Sequence, residues 1–105
     1  MATTSGDPTL SARIDHHLLA IDAEADFLPD LAQAWAQEPD HEQYVWSTEW
    51  WRLMRDLELL HREYHAGTMT AEQQQRFRAL RQKLRVGLPL LQQMGLPLPP
   101  VTLAD

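Results

Sequence analysis

The chain has 105 residues, no cysteine and a net charge of −6 at neutral pH. Its length suffices for one domain with a single modest core, and the lack of cysteine excludes disulfides and thiolate metal ligands. With only eight arginines and one lysine, the chain lacks the concentration of basic charge that phosphate binding needs, which argues against a nucleic-acid partner.

The first predicted helix begins at Asp7 and Pro8, because aspartate can cap a helix and proline is favoured at its first position. Apolar residues then recur at steps of three and four, the spacing of one buried helix face. This apolar stripe consists of Leu10, Ile14, His17, Leu18, Ile21, Ala25, Leu28, Ala32 and Trp35. Pro29 interrupts the stripe without shifting its phase, so we expect one helix that is kinked near this proline.

The second predicted helix has two competing starts, because Asp40 with Gln43 and Ser47 with Glu49 both make capping patterns. Gly67 is expected to end the helix, since glycine readily adopts the left-handed conformation that closes a helix. The stripe predicted to be buried consists of Trp46, Trp50, Leu53, Met54, Leu57, Leu60, His61 and Tyr64.

The third predicted helix begins after Thr70, which forms a capping box with Gln73. The residues that it is expected to bury are Phe77, Leu80, Leu84, Leu88 and Leu91. Gly87 and Pro89 both disfavour a helix interior, so we expect them to break this helix and leave a short fourth helix after Pro89.

These patterns predict an all-α fold, since no segment has the two-residue alternation of a strand. Short loops join the helices, so consecutive helices should run antiparallel in a three-helix bundle. We expect a disordered N-terminus over residues 1–6 and a helical bundle domain over residues 7–95. An extended, proline-rich tail should follow over residues 96–105 and lie back on the helices.

A cluster of histidines raises the question of a metal site. Glu58 and His61 are three residues apart, and His61 and His65 are four apart, so all three share one side of the second helix. An antiparallel hairpin that pairs residue 37 with residue 44 would bring His17 level with them. Imidazole and carboxylate ligands suit Zn, Fe or Mn, and these four residues are therefore a candidate metal site.

The Glu58-x-x-His61 spacing resembles half of the di-metal pattern of ferritin-like four-helix bundles. Only one such motif occurs in this chain, so a homodimer would have to supply the other half. The alternative interpretation is that His17 and His61 are histidines at the edge of the core, hydrogen-bonded to Tyr64 or to a backbone carbonyl.

A second set of candidate residues lies on the opposite side of the second helix. Tyr44, Trp51, Arg55 and Arg62 form a stripe roughly 120–160° from the centre of the predicted buried face. Tyrosine, tryptophan and arginine dominate the energetics of protein interfaces, so this stripe is a candidate interaction surface. In the alternative interpretation, Trp51 covers the edge of the third helix.

Charge is unevenly distributed along the chain. Residues 1–49 carry ten acidic side chains and one basic one, whereas residues 50–105 carry five acidic and eight basic ones. An acidic first helix against a basic third helix would let these charges offset each other. Arg78, Arg81 and Arg85 are predicted to share one exposed face of that third helix.

No nucleophile with its base, phosphate-binding glycine loop or dinucleotide fingerprint is present in the sequence. We therefore expect a non-catalytic helical interaction module without a cofactor, which binds a protein partner and self-associates as a homodimer. One alternative is the metal-binding protein described above. Another is an inhibitor whose acidic first helix mimics nucleic acid.

The sequence also predicts a cytoplasmic location without membrane contact. The start MATTSGDP lacks the basic residues and apolar run of a secretory signal. No apolar stretch approaches the roughly 20 residues that span a bilayer.

Overall fold

A computed structural model of the chain describes residues 8–103. It contains three long helices, α1 (Pro8–Ala34), α2 (Asp40–Ala66) and α3 (Ala71–Met94), and one turn of 3-10 helix, Trp35–Gln37, between the first two. Residues 8–103 include no strand, which confirms the predicted all-α class. The predicted cap at Asp7 and the predicted disorder of residues 1–6 lie outside the described residues.

Helix α1 continues through Pro29 as a single helix, as its unbroken apolar stripe predicts. Most of the stripe is buried, while Leu10, His17 and Trp35 are half-buried at its edges. Burial on both sides of Pro29 compensates for the backbone hydrogen bond that proline cannot donate.

Helix α2 begins at the earlier of its two predicted starts, but its cap differs from the prediction. Asp40 is the first helical residue, and the preceding Pro39 makes no side-chain capping bond. The side chain of Gln43 instead donates to the backbone oxygens of Trp35, at 2.8 Å, and Glu38, at 3.3 Å. Gly67 closes the helix with φ of 79°, as predicted.

Helix α3 is continuous from Ala71 to Met94, so the predicted break at Gly87 and Pro89 and the short fourth helix were wrong. The reason is packing: Leu84, Leu91 and Met94 are buried on both sides of the proline. Gly87 itself is buried, and a Cβ atom there would lie 3.2 Å from the Leu28 side chain of α1. Glycine at this position lets the two helices approach closely.

The start of α3 is capped and also anchored to α1. The hydroxyl of Thr70 accepts from the Gln73 backbone at 3.1 Å, and the Gln73 side chain accepts from the Thr70 backbone at 2.9 Å, which completes the predicted capping box. The same Gln73 side chain is buried and donates to Ser11 and, at 2.9 Å, to Asp15. A buried amide satisfied in this way fixes the α3 start against α1.

The order of contacts along the chain gives the relative directions of the helices. Near the starts of α1 and α3, Asp15 lies 3.7 Å from Arg76. About two turns further along both helices, Lys83 lies 2.6 Å from Asp22 and 2.7 Å from Asp26. Because residue numbers increase together along the two helices, α1 and α3 are parallel. These ion pairs agree with the predicted match between an acidic first helix and a basic third one.

Contacts between α1 and α2 run in the opposite order. His17 lies 3.6 Å from Asp56, and Phe27 stacks on Trp46 at a ring-centroid separation of 5.5 Å. Helices α1 and α2 are therefore antiparallel. The three helices share one hydrophobic core, whose largest fully buried side chains are Phe77, Ile14, Leu18, Ile21, Leu57, Leu60, Leu80, Leu84 and Leu91.

Residues 96–103 have no regular secondary structure and return along α2 and α3. Leu96 is buried, and the Trp50 indole donates to the Pro97 carbonyl at 2.8 Å. Further along, Arg85 donates to the carbonyl of Leu103 at 2.7 Å. The segment therefore contacts both helices.

Arg81 is buried, so the prediction that it lies on an exposed basic face was wrong. Its guanidinium lies 4.9 Å from the ring centre of Tyr64 and 5.2 Å from that of Phe77. Stacking on aromatic rings allows a weakly hydrated guanidinium to be buried where an ammonium would be disfavoured. Arg78 and Arg85 are exposed, as predicted.

Within residues 8–103, no helix combines the length and apolar character needed to cross a membrane.

Candidate functional site

The four residues of the predicted interaction surface all lie exposed on α2. Tyr44 is 73% exposed and Trp51 is 52% exposed. The guanidinium of Arg55 lies 5.0 Å from the centre of the Trp51 ring, the geometry of a cation–π contact. Arg62 is exposed two helical turns further along. We call these four residues, Tyr44, Trp51, Arg55 and Arg62, the Trp51 face.

Trp50 and Trp51 are adjacent in sequence but occupy different environments. Trp50 is 4% exposed and its indole nitrogen is hydrogen-bonded to Pro97. Trp51 is half-exposed beside an arginine. Trp51 is therefore not buried in the core, as its position one helical step of about 100° from Trp50 predicts.

A concave pocket of about 690 Å³ adjoins the Trp51 face. Helix α2 supplies two of its arginines and two histidines, and the tail supplies the opposite wall. The lining residues are Arg55, Glu58, His61, Arg62, His65, Pro100, Val101 and Thr102. The sequence did not predict that the tail contributes, because an extended segment without periodicity carries no signal for where it packs.

His61 is the residue of this pocket whose pKa is shifted by its surroundings. Its Nδ1 atom is buried without a hydrogen-bond partner, and its ring centre lies 4.4 Å from that of His65. Burial, reinforced by the nearby His65 and Arg81, lowers the pKa of His61 below its ordinary value of 6.5. His61 is therefore neutral at pH 7. The predicted hydrogen bond to Tyr64 or to a backbone carbonyl is not made by Nδ1.

His17 does not join the other candidate metal ligands. The structure places it against Asp56 rather than level with Tyr64. These two α2 positions are eight residues apart, so the predicted register is wrong by about two helical turns, or roughly 12 Å. The chain reverses direction closer to its N-terminus than predicted, because the 3-10 turn and Pro39 lie between α1 and α2.

Glu58, His61 and His65 do line one pocket, whereas His17 lies elsewhere. In the part of the chain that the structure describes, no group of three or more histidine, aspartate or glutamate side chains is arranged to hold a metal ion. The predicted set of four ligands is therefore not assembled within one chain.

In comparisons with known proteins, no family model, curated protein or solved structure matches this chain.

Proposed function

We propose that this protein is a non-catalytic interaction module, an antiparallel three-helix bundle with a proline-rich tail. It binds a protein partner through the Trp51 face, and a second copy of the chain is a partner that it uses. In this proposal residues 7–95 form the helical module, and residues 96–105 are an extended tail that packs against it.

One observation carries the proposal: Trp51 is half-exposed, with the Arg55 guanidinium over its ring. Tryptophan and arginine are enriched among the residues that contribute most to binding energy. The cation–π contact holds both side chains in place before a partner arrives, which reduces the conformational entropy lost on binding.

The charges on the Trp51 face also favour a protein partner. Its two arginines lie on a chain of net charge −6, so the face differs in sign from the molecule as a whole. An acidic or neutral protein surface with an apolar recess fits this chemistry better than nucleic acid, because phosphate binding requires many cations on one surface.

The test compares alanine substitutions at the two adjacent tryptophans. Trp51→Ala is expected to leave the chain folded, with its unfolding free energy changed by less than about 0.5 kcal/mol. The same substitution should weaken self-association by about 2 kcal/mol or more, measured by sedimentation equilibrium. Trp50→Ala should instead destabilise the fold by roughly 3–5 kcal/mol, because Trp50 is buried.

The two variants together make the result interpretable. If Trp51→Ala unfolds the chain as severely as Trp50→Ala, the exposed tryptophan is structural. If it leaves both stability and association unchanged, the Trp51 face is not an interface. Either result refutes the proposed function.

A further inference from the structure

A second concave surface lies between α1 and α2, on the side where Phe27 stacks on Trp46. This groove has a volume of about 480 Å³. Its floor consists of apolar side chains, Ala20, Ala23, Val45, Trp46 and Leu53, and its rim of charged ones, Glu24, Glu42, Glu49 and Arg52. We call these nine residues the acidic groove.

The floor of the acidic groove is open to solvent. Val45 is 52% exposed and Ala23 is exposed, while Phe27 beside the groove is 42% exposed. The small side chains of Ala20 and Ala23 leave the space in which a large side chain could pack. An aromatic ring placed there would remove this apolar surface from water.

The rim carries three glutamates and one arginine. The arginine, Arg52, is paired with Glu49, so the excess of negative charge on the rim comes from Glu24 and from Glu42, which lies 3.4 Å from His41. A ligand that combines an aromatic ring with a positive charge complements both the floor and the rim.

The Trp51 face has this composition, because Trp51 carries Arg55 over its ring. Both surfaces include residues of α2, and Val45 and Trp51 lie roughly 120° apart around that helix at 100° per residue. A chain cannot place its own Trp51 in its own groove across that angle. Two chains with α2 helices side by side and antiparallel can each place Trp51 in the groove of the other.

We propose that two copies of this chain form a symmetric dimer in which Trp51 and Arg55 of each copy bind the acidic groove of the other. This proposal rests on the proposed function and adds the surface that receives the Trp51 face. The arrangement is closed by a two-fold axis, so both copies use the same two surfaces and the assembly stops at a dimer.

The experiment uses one variant for each side of the contact. Trp51→Ala removes the inserted side chain, and Ala23→Trp fills the groove that receives it. Ala12→Trp is the matched control, because Ala12 is also exposed on α1 but lies outside the groove. We expect the first two substitutions to weaken dimerisation roughly 30-fold or more and the control to retain wild-type affinity.

Mixing the two defective variants provides the decisive measurement. The heterodimer retains one intact contact, because the Ala23→Trp chain supplies Trp51 and the Trp51→Ala chain supplies an open groove. Neither homodimer retains any. Fluorescently labelled chains should therefore associate at least about tenfold more tightly when mixed than either variant does alone.

Val45→Thr provides a second groove variant, which replaces one methyl group with a hydroxyl at almost unchanged volume, should Ala23→Trp lower helix content by circular dichroism. It should also weaken the dimer. If Trp51→Ala disrupts the dimer while both groove variants retain wild-type affinity, the groove proposal is refuted and the proposed function stands. If the mixed variants do not recover association, the groove proposal is refuted as well. A wild-type chain that stays monomeric at millimolar concentration also refutes the groove proposal.

Discussion

Two arginines of α3 lie in different environments, and the burial of each side chain determines what it contributes to stability. Arg81 lies buried against the rings of Tyr64 and Phe77, whereas Arg78 is exposed and donates to the Tyr64 hydroxyl at 3.2 Å. The buried guanidinium contributes packing area as well as charge. Substituting it therefore removes support from the aromatic residues at the α2–α3 junction.

His61 gives a prediction about pH. Its pKa is lowered below 6.5, first by burial and then by His65 and Arg81. The unfolded chain therefore binds more protons than the folded chain between the lowered pKa and pH 6.5. The stability associated with neutral His61 is fully present above pH 6.5 and is lost as the pH falls below it.

Urea denaturation between pH 7.5 and 5.0 tests this effect. As the pH is lowered, we expect the unfolding free energy of the wild type to decrease more steeply than that of His61→Gln, because glutamine cannot take up the proton. Titration of the His61 ring by NMR gives the pKa directly. A value at or above 6.5 would show that the buried nitrogen is not desolvated as the structure indicates.

At the scale of helices, α1 and α3 are joined by complementary charges and by close packing. Lys83 donates to Asp22 and lies 2.7 Å from Asp26, and these hydrogen bonds raise the pKa of Lys83 above 10.5. A raised lysine pKa means that the interaction is fully present below pH 10.5 and is lost as the pH rises through the raised value. It is therefore intact under physiological conditions.

We expect Lys83→Met to destabilise the fold by about 1 kcal/mol at pH 7, since all three groups are partly exposed and solvent screens the interaction. Lys83→Arg, which keeps the charge, should retain most of the stability. The difference between wild type and Lys83→Met should shrink in 1 M salt. A loss independent of salt would indicate that the lysine stem, rather than its charge, supports the contact.

At the scale of the whole molecule, the segment after α3 completes the core. Leu96 is 4% exposed, whereas Leu98, two residues later, is 47% exposed. The Pro97 carbonyl between them accepts the hydrogen bond of Trp50. The tail therefore buries one leucine in the core and leaves the other half-exposed.

This pair of leucines gives a matched test. Leu96→Ala should reduce the unfolding free energy by about 2–4 kcal/mol, because it leaves a cavity in the core. Leu98→Ala should change it by less than about 0.5 kcal/mol. Equal effects in thermal or urea denaturation would mean that the tail is not docked as described.

The distribution of charged residues is also a property of the whole molecule. The excess of acidic residues before position 50 is partly matched by cations on α3. The carboxylates of the acidic groove lie on the other side of α1, at its junction with α2. The acidic half of the chain therefore has one side that pairs with α3 and another whose carboxylates line the acidic groove.

The candidate site was partly predictable from the sequence. Helical spacing alone assigned Tyr44, Trp51, Arg55 and Arg62 to a side of α2 away from the core, and all four are exposed. Whether they bind a partner remains a prediction. The acidic groove could not be predicted in the same way, because its floor is made by two helices whose register depends on contacts across the first loop.

The sequence by itself determined the features that depend on neighbouring residues. Three- and four-residue spacing defined three helices and their buried faces, Thr70 with Gln73 defined one start, and Gly67 defined one end. These features are governed by local hydrogen bonds and by the pitch of a single helix. They require no knowledge of what the helix packs against.

Only the tertiary structure decided which residues meet across helices. It placed His17 beside Asp56, buried Arg81 against two aromatic rings, and kept α3 continuous past Gly87, where α1 approaches closely. The physical reason is that side-chain packing between segments distant in sequence can outweigh local preference. A proline or glycine that would break an isolated helix is retained when both sides of it are buried.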